Sequence, residues 1–186
     1  MSAEKPQDCS VLGGLLIRPS RDDDIAATAA IYGYHVLHGL ASFEEAPPAV
    51  EEMARRRSEV LDRGLPYLVA EREGRVVGYS YAGPFRTRSA YRYSLEDSIY
   101  IDAAETGRGV GRALLTQLLE RSTELGYRQM IAVIGGSETL PSINLHKALG
   151  FTHVGVISGV GFKFGRWVDS VLMQRPLGPG STTLPE

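Results

Sequence analysis

The sequence predicts one α/β (α+β) domain, a single mixed sheet with helices on its faces. Three observations predict it. Helical and strand-like hydrophobic patterns interleave in the order β-α-α-β-β-β-α-β-α-β-β. The boundaries between them are marked by Gly and Pro. A chain of 186 residues, 43% hydrophobic and 23% charged, can bury a full core without disulfides or metal.

The elements follow in order. Leu15–Arg18 reads as the first strand. Ser20 stands before Asp22, Asp23 and Asp24 as an N-cap with acids in the first turn, and Ile25, Ala29, Tyr32 and Val36 share one helical face, which predicts a helix over 21–38. Pro47 and Pro48 open a second helix over 48–62, with Val50, Met53 and Leu61 inward and Gly64 as the stop. Tyr67–Glu71 and Val76–Gly83 are strands joined at Glu73-Gly74, a hairpin turn with Gly where positive φ is needed. After a polar, aromatic stretch from Pro84 to Tyr93, Ser94–Asp102 forms a strand with Leu95, Ile99 and Ile101 on one face. Strand alternation puts Glu96 and Asp97 on opposite faces. Gly107–Gly111 leads into a helix carrying Ala113, Leu114, Leu118 and Leu119 that ends near Gly126. Gln129–Ile134 is a buried strand, Pro141–Leu149 a short helix stopped by Gly150, and Phe151–Ser158 with Trp167–Gln174 a closing strand pair. The domain is placed at 14–176, with 1–13 and 177–186 as flexible tails.

Composition excludes several functions. A net charge of −2, from 20 basic and 22 acidic residues, argues against nucleic acid as a partner. Cys9 is the only cysteine, so no intramolecular disulfide forms and covalent thiol catalysis is disfavoured. The apolar run Val11–Ile17 is too short to span a membrane and lacks the flanks of a signal peptide, which predicts a cytoplasmic protein with no membrane partner. His35 and His38 have a spacing that could hold a metal, but no third ligand is evident, and no metal is expected.

The segment Asp102–Arg112 joins a strand to a helix and carries Gly107, Gly109 and Gly111. Glycines let the backbone approach a ligand closely, and a helix N-terminus adds unpaired N–H groups and a partial positive charge. Together they suit a pyrophosphate. A P-loop is excluded because no Gly-Lys pair occurs, and a dinucleotide fingerprint because its third glycine would fall at Arg112.

This stretch, Thr106-Gly-Arg-Gly109-Val-Gly111, resembles motif A of the GNAT superfamily of N-acetyltransferases, with Thr106 in place of the usual Arg or Gln. Asn144-Leu-His146-Lys-Ala-Leu-Gly150-Phe151 resembles that family's second cofactor motif. Gly39-Leu-Ala-Ser-Phe43-Glu, Tyr81-Ala-Gly-Pro-Phe85-Arg, Glu96-Asp-Ser-Ile-Tyr100, Ala132-Val-Ile-Gly135 and Lys163-Phe-Gly165-Arg-Trp167-Val-Asp169 look like the phosphinothricin / methionine sulfone acetyltransferase subgroup. The resemblance covers residues 15–176.

The resemblance implies the GNAT fold, with a mostly antiparallel sheet, and acetyl-CoA as co-substrate. Its pyrophosphate would rest on Gly107, Arg108, Gly109, Val110, Gly111 and Arg112, and its pantetheine on Asn144. Main-chain groups of Ile99, Tyr100 and Ile101 would meet the thioester where two strands splay apart. Glu96 matches the catalytic base of the subgroup, and His146 the position of a group that protonates the leaving thiolate. Arg88 and Tyr91 would contact a small anionic amine substrate, since a guanidinium grips carboxylate or phosphinate in a fork, and Phe43 would close the pocket. The implied reaction is direct attack of a neutral α-amine on acetyl-CoA. A homodimer is also implied, with the segment around Trp167 at its interface. Two alternatives stay open at this point: another amine as acceptor (a polyamine, an aminoglycoside or a protein N-terminus), and a non-catalytic acyl-CoA-binding module.

Overall fold

A computed structural model describes residues 10–185; Cys9 and the rest of the leading segment lie outside the described residues. The strands are β1 (Ser10–Leu12), β2 (Leu15–Pro19), β3 (Tyr67–Arg72), β4 (Arg75–Pro84), β5 (Ser94–Ile101), β6 (Gln129–Gly135), β7 (Thr152–Lys163) and β8 (Arg166–Pro176). They form one eight-stranded sheet in the order β1-β2-β3-β4-β5-β6-β8-β7. Every neighbouring pair is antiparallel except β5 and β6. The helices are α1 (Ile25–His38), α2 (Val50–Asp62), α3 (Val110–Glu124) and α4 (Leu140–Ala148). No helix among the described residues is long and apolar enough to cross a membrane.

Strand alternation sorts the side chains into two cores, one on each face. On β3, Leu68 and Ala70 join Leu114, Leu115 and Leu118 of α3, while Tyr67 and Val69 join Tyr32 and Val36 of α1 and Met53 of α2. The second core is rich in tyrosine. Tyr67, Tyr79 and Tyr81 stack at 5.2–6.4 Å between centroids, and Tyr32 meets Tyr100 edge-on at 4.9 Å. The β3–β4 turn has both Glu73 and Gly74 at positive φ, as a two-residue hairpin requires.

Three expectations are corrected. In α2, Met53 and Arg57 are buried, while Val50 and Leu61 are exposed. The Arg57 guanidinium takes the inward position because it donates to the Ser20 hydroxyl (2.7 Å), the Ser20 carbonyl (2.7 Å) and Asp22 (2.8 Å). Ser20 is accordingly an acceptor for Arg57, and Asp22–Asp24 form a short 3-10 turn before α1. At the ends, Ser10–Leu12 pair with β2 rather than trailing from it, and Leu177 is buried in the core beside α3.

Asp24 ties β2 to the start of α1. It accepts a two-pronged bond from Arg18 (2.7 and 2.8 Å) and the N–H of Arg21 (2.7 Å), and Arg18 also donates to Glu71. Burial alone would raise the Asp24 pKa, but these donors outweigh it and hold the carboxyl below its ordinary value. Asp24→Ala removes the two-pronged partner of Arg18, leaves the buried guanidinium to Glu71, and is expected to cost about 2 kcal/mol in urea unfolding. In the wild type this contribution is present at neutral pH and is lost as pH falls through the lowered pKa of Asp24.

Candidate active site

The site forms where β5 and β6 part. They pair in parallel over Ser94–Asp97 and Gln129–Ala132 and no further, although β5 stays on β4 to Ile101 and β6 stays on β8 to Gly135. The hydrogen-bond phase of β5 is fixed by Asp102 N–H donating to Val77 O at 3.0 Å on the β4 side and by Tyr93 O accepting from Gln129 on the β6 side. Alternation then spends the main-chain groups of Glu96, Ser98 and Tyr100 on β4 and turns those of Ile99 and Ile101 into the gap. The Ile101 carbonyl meets His35 Nε2 at 2.8 Å. The N–H groups of Ile99 and Ile101 face the opening.

A cavity of about 300 Å³ occupies the gap, lined by Glu96, Asp97, Ile99, Tyr100, His146 and Phe43 among others. Glu96 is half-buried, and its pKa is raised to about 7. Burial is the main cause, the Asp97 charge adds to it, and Arg86 pulls the other way. Asp97 points to the other face, where its Oδ2 lies 2.9 Å from His146 Nε2 and its Oδ1 has no hydrogen-bond partner. His146 Nδ1 lies 2.8 Å from the Ser142 carbonyl. Both ring nitrogens face oxygen atoms, a carboxylate and a carbonyl, an arrangement that favours the protonated ring. Burial disfavours that charge, but the bond and charge of Asp97 outweigh it and raise the His146 pKa. The ring is 2% exposed and edge-on to Phe151 at 4.9 Å.

A second cavity of about 460 Å³ runs from this gap to the glycine turn, lined by Thr106, Gly107, Gly109, Val110, Gly111, Arg112 and Ser142 among others. The three glycines do different things. Gly107 and Gly109 have φ of 74° and 83°, the left-handed region that side chains resist. A Cβ on Gly111 would stand 3.1 Å from Leu145, so this glycine permits close packing of α3 on α4. The first N–H groups of α3 have no acceptor within the helix and open toward this cavity. The turn is pinned by buried Glu105, which bonds Arg72, Arg75 and Arg108. Arg108 is therefore engaged by Glu105 and lines a neighbouring depression, while Asn144 stands exposed on α4 outside all these cavities.

The third cavity, about 670 Å³, adjoins the first through Tyr81. Arg86, Arg88, Tyr91 and Arg92 line it above a wall of Tyr67, Tyr79 and Tyr81. Residues 89–91 form a 3-10 turn, and Phe85 meets Tyr91 edge-on at 5.8 Å. Arg88 and Tyr91 line one cavity, while Phe43 belongs to the 300 Å³ cavity.

Sequence reasoning missed several of these groups. The tyrosine wall was signalled by the alternation Tyr79-x-Tyr81 on one strand. Asp97 carried no local signal, since its partner lies 49 residues away in the chain; Glu105 has Arg108 three residues on, but its bond to Arg72 spans 33 residues.

A family model described as an acetyltransferase (GNAT) domain matches residues 17–172. A phosphinothricin N-acetyltransferase of Alcaligenes faecalis is 56% identical over 170 residues, 91% of this chain and 86% of that protein. An L-methionine sulfoximine/L-methionine sulfone acetyltransferase of Salmonella typhimurium is 36% identical over 163 residues, 88% of this chain and 95% of that protein. Among solved structures, a GNAT superfamily phosphinothricin acetyltransferase from Sinorhizobium meliloti in complex with AcCoA aligns with a TM-score of 0.91 and 49% identity, covering 93% of this chain and 94% of that one. The free N–H groups at the head of α3 and the cavity leading from them to the strand gap fit a polyphosphate with an extended chain, as acetyl-CoA presents. Gly109→Val forces a β-branched residue into φ near 83°. It is expected to weaken acetyl-CoA binding about tenfold or more by isothermal titration.

Proposed function

The chain belongs to the acetyltransferase (GNAT) family and is an acetyl-CoA-dependent N-acetyltransferase, and from that premise we propose that it acetylates the α-amine of a small amino acid analogue of the phosphinothricin, methionine sulfone or methionine sulfoximine type. The observation that carries the reading is Glu96: a carboxylate with its pKa raised to about 7, in a cavity that Ile99 also lines, beside the gap where β5 has left β6.

Acetyl-CoA supplies a thioester, whose carbonyl oxygen becomes more negative as an amine adds to it. In this reading the N–H groups facing the gap donate to that oxygen. Glu96, ionised, takes a proton from the substrate ammonium so that a neutral amine attacks, and a base with a pKa near the working pH is matched to that task. Substrate enters from the 670 Å³ cavity, where Arg88 holds its carboxylate or phosphinate and Tyr91 adds a hydroxyl; Phe43 walls the transfer cavity. His146 serves in this scheme as a positioning group. Both of its nitrogens are already engaged, and its pairing with Asp97 fastens α4 to β5 beside the reacting atoms. The relatives named above support the substrate class. The arginines at the rim oppose cationic acceptors such as polyamines and aminoglycosides.

We also assign the dimer interface to the outer face of the β7–β8 hairpin. Val160, Phe162 and Trp167 are exposed there, Trp167 by 70%, on a twelve-residue edge strand and the start of the strand that follows it. A long apolar edge is a pairing surface unless covered. In sedimentation, the wild type is expected to run as a dimer and Trp167→Glu as a monomer.

The catalytic assignment is tested by steady-state thiol release. Glu96→Gln is expected to lower kcat by about 100-fold or more with acetyl-CoA binding intact; unchanged turnover would remove Glu96 from its role. Because the base must be ionised, wild-type kcat/KM should rise with pH through about 7 and level off above it. Asp97→Asn removes a like charge and should move this limb to lower pH. Arg86→Gln removes a stabilising cation and should move it to higher pH.

A further inference from the structure

Between α1 and α2 the chain forms a strap, residues 39–44, that spans two of the cavities. Ala41, Ser42 and Phe43 line the transfer cavity, and Gly39, Leu40 and Ala41 line the one leading to the glycine turn. Its underside rests on two glycines. A Cβ on Gly135 of β6 would overlap the Leu40 carbonyl oxygen and stand 2.8 Å from the Phe43 ring; a Cβ on Gly161 of β7 would overlap the same ring. Neither glycine has positive φ, so the strap alone, and not the backbone, excludes a side chain at both places.

The strap is fastened from two sides. On the helix side, the Tyr32 hydroxyl bonds Ser42 Oγ (2.8 Å) and Glu44 (2.9 Å), and Arg56 holds Glu44 at 2.6 Å. On the sheet side stands Lys163, the last residue of β7 and only 1% exposed. Its ammonium donates to the carbonyls of Gly39 (2.9 Å) and Ser42 (2.6 Å). The carboxylates of Glu44 and Glu45 act on it only at longer range. Lysine is rarely buried, least of all without an ion-pair partner, because its charge is costly to desolvate. Here the charge satisfies two carbonyls that the irregular strap would leave unpaired. The turn that follows, with Phe164 and Gly165 at φ of 53° and 73°, fixes Lys163 opposite Arg166 and so fixes where the ammonium points.

The geometry points to Lys163 as a positioning residue for acetyl transfer: it clamps the strap across the gap between β5 and β6, so that Phe43 and Ala41 stay over the transfer cavity and narrow its opening to water. The inference rests on placing transfer at Glu96. Without the clamp the thioester meets water as well as amine, and water attack yields acetate and free thiol with no acetylated product. The amine also loses one wall of its site.

Two variants test this. Lys163→Met keeps an apolar stem and removes the donors. Gly161→Ala leaves the charge in place and pushes the Phe43 ring off its seat. Both are expected to raise thiol release from acetyl-CoA in the absence of amine by about tenfold, to raise KM for the amine more than they lower kcat, and to speed amide hydrogen exchange within 40–44 above that of the sheet. Wild-type thiol release and wild-type strap exchange in folded Lys163→Met would overturn the assignment. If Lys163→Met does not fold, Lys163→Gln, which keeps a donor but loses the charge and the reach to both carbonyls, takes its place and is read the same way. Strap exchange is read without catalysis, so a failed role for Glu96 and a failed role for Lys163 give different results.

Discussion

The molecule depends on one interruption: β5 and β6 are bonded as far as Asp97 and Ala132, and then separate while each keeps its other neighbour. A parallel pair needs a crossover, and α3 is that crossover. Its N-terminus must therefore begin at the end of β5, beside the gap, so the glycine turn and the free N–H groups of Ile99 and Ile101 are neighbours by topology. Ligands in sheets of this kind bind at the carboxyl ends of parallel strands for the same reason. The unpaired ladder groups would be costly if nothing filled the opening. They are the same groups a thioester carbonyl can use.

The interruption also separates two adjacent acids. Glu96 and Asp97 point to opposite faces of β5, and although both reach the gap cavity their partners differ. Asp97 meets the buried His146 ring, which bonds one of its oxygens at 2.9 Å. Glu96 meets cavity and tyrosine, with Arg86 as its compensating charge, and its pKa rises to about 7. The two are electrostatically linked through the strand that carries them, so the residue that fastens α4 also raises the Glu96 pKa. Glu96 and His146 line one cavity, and Asp97 stands between them in the chain of contacts.

Much of this could be read from the chain because it is local. Glycine spacing marks the turn at 107–111, alternation places Glu96 and Asp97 on different faces, and the element order yields the sheet between its helices. What could not be read depends on distant partners. The stripe of α2 goes to Arg57 because Ser20 and Asp22 await it 37 and 35 residues back. Lys163 is buried because two carbonyls 124 and 121 residues earlier cross above it. Gly135 and Gly161 look like ordinary strand glycines until the strap is laid over them. Gly111 shows the limit of a motif: it belongs to the same triplet as Gly107 and Gly109, yet its smallness serves Leu145. Periodicity says which residues face inward, and only the assembled fold says what they face.

Alternation gives the β7–β8 hairpin two unlike faces. Gly161 and Lys163 turn toward the strap and hold it, while Val160 and Phe162 stand exposed beside Trp167. The strap and the apolar surface therefore share one layer of backbone at the edge of the sheet. A strand with a neighbour on only one side twists and frays more readily than one paired on both. Covering the outer face of this hairpin would stiffen the strand from which Lys163 reaches the strap, and uncovering it would loosen the same anchor. Under the proposed association of two copies through Trp167, that contact would bear on how tightly the strap is held from the other side of the strand.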